Sequence, residues 1–540
     1  MYKTYNPYVV ALSATVGGML FGFDISSISA FVDNENYREF FNYPNDITQG
    51  GITASMAGGS FLGSLASGFV SDRLGRKKSV QIGAMIWIIG AAIQCSVQNL
   101  AQLICGRVIS GVAIGICSSQ VPVYIAELSP KKIRGRLVGL FQWAVTWGIT
   151  IMFYISYGCT FMNGSSGFRT AWGIQMVPGF VLFFVLFILP ESPRWLASKD
   201  RWDEAEYIIS RVQGRYNKPA GEKPVEGAAA APTSGDPAEY ANDYVQLEMQ
   251  EIREAVRIER ESADITLLDL FRKDSIARTM TGIWAQIWQQ MTGMNVMMYY
   301  VVYTFAMAGY TGNSGLISSS IQYVINVVMT IPALLFIDSW GRRRLLISGA
   351  ILQAMWLFLV GGLMGKYGHW VPSVNGNESI RWSVPNKHAA KAVIAFNYLF
   401  VATFAPTWGP GSWVYVSEIF PLKQRALANG VCAAANWIFN FALAFFVPPA
   451  FKNIQWKTYI IFGVFCLCMA LHVFLLFPET KGKTLEEIDL IWEQRVPAWK
   501  SSKTDFSQFA LNRDLTAAPT KAAHGHKEYA DEQRSDTLSA

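Results

Sequence analysis

About twelve times along this chain, a run of roughly 20 mainly apolar residues is closed off by charge clusters or turn residues, the length an α-helix needs to cross a bilayer's hydrocarbon core. The runs start near Tyr8, Gln49, Ser79, Ala101, Leu137, Ala171, Ile276, Gly315, Leu345, Ala390, Ala428 and Trp456. Composition agrees: of 540 residues 51% are hydrophobic and 16% charged, and mean hydropathy is positive, the balance of a membrane protein. The expected fold is an all-α membrane protein of twelve transmembrane helices. The first run holds Gly17, Gly18 and Asp24 and no small-residue cleavage pattern follows it, so it reads as a retained span and not a removable signal peptide.

Short loops set the orientation. VSDRLGRKK carries Arg73, Arg76, Lys77 and Lys78, and ELSPKKIRGR carries Lys131, Lys132, Arg134 and Arg136, whereas VQNLAQ and AGYTGNSG have no Lys or Arg. The basic loops, both termini and the long central segment are therefore expected in the cytosol. Two N-x-S sequons, Asn163 and Asn377, fall in loops expected outside, where glycosylation is possible. The formal charge of +6 reports this topology and gives no reason to expect nucleic acid as a partner. Six of seven cysteines (Cys95, Cys105, Cys117, Cys432, Cys466, Cys468) lie in predicted spans, which fits packing and argues against a disulfide framework or a Cys/His metal site.

The pattern breaks between Pro190 and about Ser275. GEKPVEGAAAAPTSGDPAEY reads as a flexible linker, and YVQLEMQEIREAVRIERES as a charged surface helix on the cytosolic face. The expected organisation is a six-helix bundle over 1–190, a cytosolic linker over 191–275, a second bundle over 276–478 and a cytosolic tail over 479–540, disordered after about Ala498.

The two bundles repeat one another. SDRLGRKK at 71–78 returns as IDSWGRRR at 337–344, YIAELSPKKIRG at 124–135 as YVSEIFPLKQRA at 415–426, and PESPRWL at 190 as PETKGKTL at 478. Parallel six-span halves put a transporter's binding site at their interface. D-x-x-G-R-[KR] after the second and eighth spans, PESPRWL, QQ-x-x-G-x-N in the seventh span and PETKGKTLEEI together resemble the sugar porter family of the major facilitator superfamily. FGFDISSIS, GGITASMAGGSFLGSL, QQMTGMNVMMYY and WKTYIIFGVF are most similar to its fungal high-affinity glucose transporters, which are described as proton-coupled. The resemblance implies a monosaccharide and a proton as partners, the plasma membrane as location and no cofactor.

The seventh span, IWAQIWQQMTGMNVMMYY, carries Gln286, Gln289, Gln290 and Asn295. An amide in hydrocarbon is costly unless paired. A neutral sugar needs partners that both donate and accept, which Gln and Asn do without the desolvation cost of a charge. Gln286 and Gln290 are i, i+4 on one helix face with Gln289 beside them, and Gly293 loosens the helix before Asn295. The plainer reading is that such amides glue helices together. The resemblance extends the candidate sugar site to Gln142, Asn326, Trp413 and Asn436. It also points to Trp437, for which packing is an equal reading. Aromatic rings suit the apolar C–H faces of a pyranose.

Asp24 and Arg107 each lie about six residues from an outer span end, roughly 9 Å deep at 1.5 Å per residue, so they can pair. An ionisable residue inside a membrane is a functional candidate. Either Asp24 binds a coupled proton and releases Arg107, or the two form a permanent structural pair; the resemblance favours the former. At the cytosolic span ends Glu127 with Arg134, and Glu418 with Arg425, are expected to pair across the halves as an inner gate. The resemblance adds Arg76, Asp338 and Arg342 to that gate. Each D-x-x-G-R places a tight turn that its glycine permits.

None of the five histidines stands beside a candidate nucleophile or in metal-ligand spacing within a span, and there is no Walker loop. Enzyme and ATP-driven readings are therefore weak. A proton-independent facilitator and a non-transporting sugar sensor remain as alternatives, the sensor disfavoured by the short tail.

Overall fold

The computed structural model describes residues 5–32, 34–129, 133–212, 266–273, 275–310, 312–374, 380–483 and 485–502, with isolated residues between 245 and 257. Inside a bilayer only helices satisfy their own backbone hydrogen bonds within one segment, and the described residues form twelve helical spans. The first half comprises Pro7–Ala14 with Val16–Ser29, Asp46–Leu74, Arg76–Cys95, Leu100–Leu128, Arg134–Cys159, and Ser166–Ile174 with Met176–Ile188. The second comprises Ile276–Met291 with Met294–Tyr299 and Val301–Met307, Gly312–Trp340, Arg342–Tyr367, Lys387–Phe404 with Trp408–Ile419, Leu422–Asn453, and Lys457–Leu476.

Ten of these segments are long and apolar enough to cross a membrane. The second span falls short because Gly and Ser dilute its run, and the seventh because it is cut at Gly293, which holds φ +83. Helix starts follow local chemistry. Asn45, Asn99 and Asn386 cap the second, fourth and tenth spans by accepting backbone N–H groups of the first turn, the usual Asn cap.

Small residues let the spans approach closely. A Cβ on Gly59 or Gly63 of the second span would meet Val108 O or Val112 O of the fourth at 2.1 Å, and one on Gly111 or Gly115 would meet Met56 O or Ser60 O at 2.2 Å. The halves pack through the second and eleventh spans, where Gly68 faces Leu427 and Gly430 faces Ser64 O. They also meet through the fifth and eighth, where the Thr150 hydroxyl donates to Tyr323 O at 3.3 Å.

Several expectations need correction or lie outside the described residues. The tail stays ordered past Ala498: Ser501 is fully buried and its Oγ accepts the Glu479 N–H at 2.8 Å. Most of the linker beyond Val212, much of the charged stretch over 244–262, and Asn377 lie outside the described residues. Asn163 is exposed between the fifth and sixth spans. In the outer loop of the second half, His369–Trp370 pairs antiparallel with Trp382–Ser383, and Val384 N–H donates to Met307 O at 3.0 Å, tying the loop to the seventh span.

Candidate functional site

The seventh span presents its amides to the eleventh, with Gln286, Gln289 and Gln290 on the helix before the break at Gly293 and Asn295 just after it. Asn436 Nδ2 donates to Gln286 Oε1 at 2.8 Å and to Gln289 Oε1 at 2.7 Å, while Gln290 Nε2 donates to Asn436 Oδ1 at 2.8 Å. Asn295 Nδ2 and Asn440 Nδ2 both donate to Gln290 Oε1, at 2.9 and 3.1 Å. One buried network thus gathers Gln286, Gln289, Gln290, Asn295 and Asn436, and adds Asn440, which the sequence reading did not single out. A lone Asn in an apolar run carries little signal, although its i+4 spacing from Asn436 is one.

The network is not saturated. Among the described residues Gln286 Nε2 has no hydrogen-bond partner, nor has Trp413 Nε1, Gln142 Oε1 or Asn326 Oδ1. Buried polar groups are nearly always paired, so these atoms are suited to a polar ligand. Gln142 on the fifth span and Asn326 on the eighth are buried but make no bond to the amide network among the described residues. Trp413 packs edge-on against Phe141 at 5.8 Å and lines a cleft with Gln286. Trp437 is committed to packing: it is fully buried, stands edge-on to Phe21 at 4.8 Å, and its Nε1–H donates to Ser118 Oγ at 3.1 Å.

Asp24 and Arg107 meet, with Arg107 Nη2 3.3 Å from Asp24 Oδ2 and both side chains fully buried. Among the described residues Asp24 Oδ1, Arg107 Nε and Arg107 Nη1 have no hydrogen-bond partner, so the pair leaves part of its capacity unused. Tyr299 stands on the short helix Met294–Tyr299, which packs against Val16–Ser29 of the first span, and its hydroxyl donates to Asn440 Oδ1 at 3.3 Å. Side-chain bonds therefore run from Tyr299 through Asn440 to Gln290.

Two matching clusters close the opposite ends of the bundles. Arg76 Nε lies 3.2 Å from Glu127 Oε2, and its Nη1 3.1 Å from Asp72 Oδ1. Arg342 Nη2 lies 2.7 Å from Glu418 Oε1. The expected partners differ here: these ion pairs join residues of the same half, Glu127 with Arg76 and Glu418 with Arg342. Arg425 donates to Phe420 O at 3.1 Å, Arg134 is half-buried nearby, and the Asp338 side chain lies outside the described residues.

The sequence reading missed the residues that organise both clusters. Glu191 accepts Lys77 N–H at 3.0 Å and Glu479 accepts Arg342 N–H at 2.9 Å, each carboxylate sitting at the N-terminus of a span, where the helix dipole favours it. Gly75 (φ +96) and Gly341 (φ +89) bring the chain over them. Ser192 and Thr480 donate to Glu127 and Glu418, and Tyr124 and Tyr415 to Pro190 O and Pro478 O. Burial pushes the Glu191 carboxyl above its ordinary value, against the pull of the Lys77 and Ser192 amides and Arg76. The PESP/PETK repeat was the available signal.

Twelve spans in two matched bundles, a buried amide network joining two spans of the second bundle and twin charge clusters at one end fit a membrane transporter. The family profile described as "Sugar (and other) transporter" matches residues 10–492, and the chain belongs to that family. It is 52% identical over 501 residues to the High-affinity glucose transporter of Kluyveromyces lactis, covering 92% of this chain and 87% of that one. The High-affinity glucose transporter 1 of Candida albicans is also 52% identical, with 92% and 88% covered. The High glucose sensor RGT2 of Saccharomyces cerevisiae is 33% identical over 92% of this chain but only 62% of its own length. Among solved structures, the proton:xylose symporter XylE bound to 6-bromo-6-deoxy-D-glucose superposes with a TM-score of 0.75 at 27% identity, over 91% of this chain and 100% of that one. The inward open conformation of the xylose transporter XylE from E. coli gives 0.64 at 26% identity, over 90% and 100%.

Proposed function

We propose that this chain takes up glucose or a closely related hexose across the plasma membrane by alternating access, together with a proton, with both termini in the cytosol. The observation that carries the reading is the unsaturated amide network: Gln286, Gln289, Gln290, Asn295 and Asn436 form the binding surface, while Gln142, Asn326 and Trp413 supply unfilled polar atoms around it. Sugar hydroxyls both donate and accept, which this set can match without a charge.

Coupling rests on Asp24 and Arg107. A permanent structural pair is stabilised by filling its hydrogen bonds; this one leaves three polar atoms unfilled. Protonation neutralises Asp24 and frees Arg107, and Tyr299 with Asn440 transmits the change to Gln290. The twin clusters of Arg76 with Glu127 and Arg342 with Glu418 act as the inner gate, together with Arg134, Arg425 and Asp338. Each ties together the cytosolic ends of spans within its own half in the present arrangement, which is closer to the sugar-analogue-bound neighbour than to the inward open one. The sensor reading is disfavoured because the chain is 52% identical to the glucose transporter relatives and 33% identical to the sensor.

The test is uptake of radiolabelled glucose by cells lacking hexose carriers of their own. Saturable uptake that unlabelled glucose competes away supports the reading. Surface expression without uptake leaves the sensor.

A further inference from the structure

On the gate side of the amide network lies a narrow cleft of about 10 Å³ whose walls include Ser118, Ser119, Pro122, Gln286, Trp413 and Asn429. Asn429 is seven residues before Asn436, on the same face of the eleventh span and about 10 Å nearer the gate at 1.5 Å per residue. It is 8% exposed, and among the described residues its Nδ2 has no hydrogen-bond partner. Gln286 Nε2 and Trp413 Nε1, on the same cleft, are in the same position. Three buried donors without acceptors therefore face one space. A buried donor left unmade is destabilising, and here every unfilled group donates, so the matching ligand brings acceptor oxygens. No lining residue is charged, so that ligand is neutral. The serine hydroxyls are already engaged, Ser118 accepting from Trp437 and Ser119 donating to Gly115 O at 2.8 Å.

We propose that Asn429, with Gln286 and Trp413, forms a second subsite for sugar hydroxyl oxygens, on the cytosolic side of the amide network. The inference rests on the hexose-transport reading and adds a step to it. In the present arrangement the cleft, at about 10 Å³, has room for no more than a single hydroxyl oxygen or water, so the subsite takes a sugar only once opening of the inner gate enlarges it. The subsite then holds the sugar as it leaves for the cytosol and meets it first when approached from that side. Asn429 is a sugar-contact residue for the cytosolic face and not for the outer one.

The experiment uses the full chain in plasma-membrane vesicles from cells without hexose carriers, measuring glucose transport into right-side-out and inside-out preparations. In Asn429→Ala the KM of inside-out vesicles rises about 3- to 10-fold, the loss of one net hydrogen bond, while that of right-side-out vesicles stays within about twofold. Asn429→Ser, which keeps a hydroxyl donor, shows the same asymmetry at smaller size and serves if the alanine variant fails to reach the membrane. Equal changes on both faces, or none, overturn the subsite while leaving transport intact. Wild-type vesicles that carry no glucose in either orientation overturn the transport reading and the subsite with it.

Discussion

Asn436 bonds to Gln286, Gln289 and Gln290 at once, so removing it leaves three buried amides short of a partner. Asn436→Ala is expected to raise the glucose KM at least tenfold in uptake assays while the protein still reaches the membrane; an unchanged KM would make the network packing alone. Trp437→Phe should do the reverse. It keeps an aromatic ring and loses one bond to Ser118, costing about 1 kcal/mol of stability, read as a lower Tm in detergent with KM nearly unchanged. At this scale the site was partly legible. Four amides in one apolar span are chemically conspicuous, and so are two isolated charges at matching depth. Asn429, Asn440 and Tyr299 were not, because a single polar group in a span reads as helix glue until its partners are known. Glu191 and Glu479 sat in quoted repeats, but their role depends on a helix N-terminus that only the fold brings to them.

The spans themselves were the most readable elements, since apolar length sets them and Asn caps with Gly turns mark several ends. What the sequence pattern hid was the interruption of spans at Thr15 and Gln175, where nothing in the hydropathy changes, and the docking of Ser501 on Glu479, where a polar residue is buried by a contact distant in sequence. The break in the seventh span was signalled by Gly293. Gly293→Ala forces a left-handed conformation on a residue with a Cβ, with Phe462 only 3.0 Å away. A loss of about 1 kcal/mol or more is expected, together with slower uptake, because the helix on the outer side of the break carries Asn295 and Tyr299. Gly63→Leu meets backbone at the crossing of the second and fourth spans, where no side chain can yield. It should abolish the monodisperse peak in size-exclusion chromatography, and a normal peak would contradict the crossing.

Across the whole molecule, alternating access requires the end that carries the two charge clusters to open, and each cluster ties together spans of one half. Neutralising both carboxylates, Glu127→Gln with Glu418→Gln, weakens each cluster without creating a new charge. The double variant is expected to shift the resting population toward the inward-facing state, seen as faster labelling, from the cytosolic side, of a cysteine introduced at Asn429 than in the same cysteine variant with the clusters intact. Unchanged labelling would leave the clusters as topology determinants only. The repeat between halves made this architecture legible, whereas the partners within each cluster were not, since spacing along the chain cannot say whether Glu127 meets Arg134 or Arg76.

The central claim is that hexose and proton move together through a site that includes Asp24. Its most direct test is the external pH of de-energised, lightly buffered cells expressing the chain when glucose is added, compared with Asp24→Asn at equal surface expression. Alkalinisation in the wild type that is lost in the variant is the predicted result. Glucose uptake without any proton movement in the wild type would contradict it, and would make the Asp24 and Arg107 pair a structural tie in a facilitator.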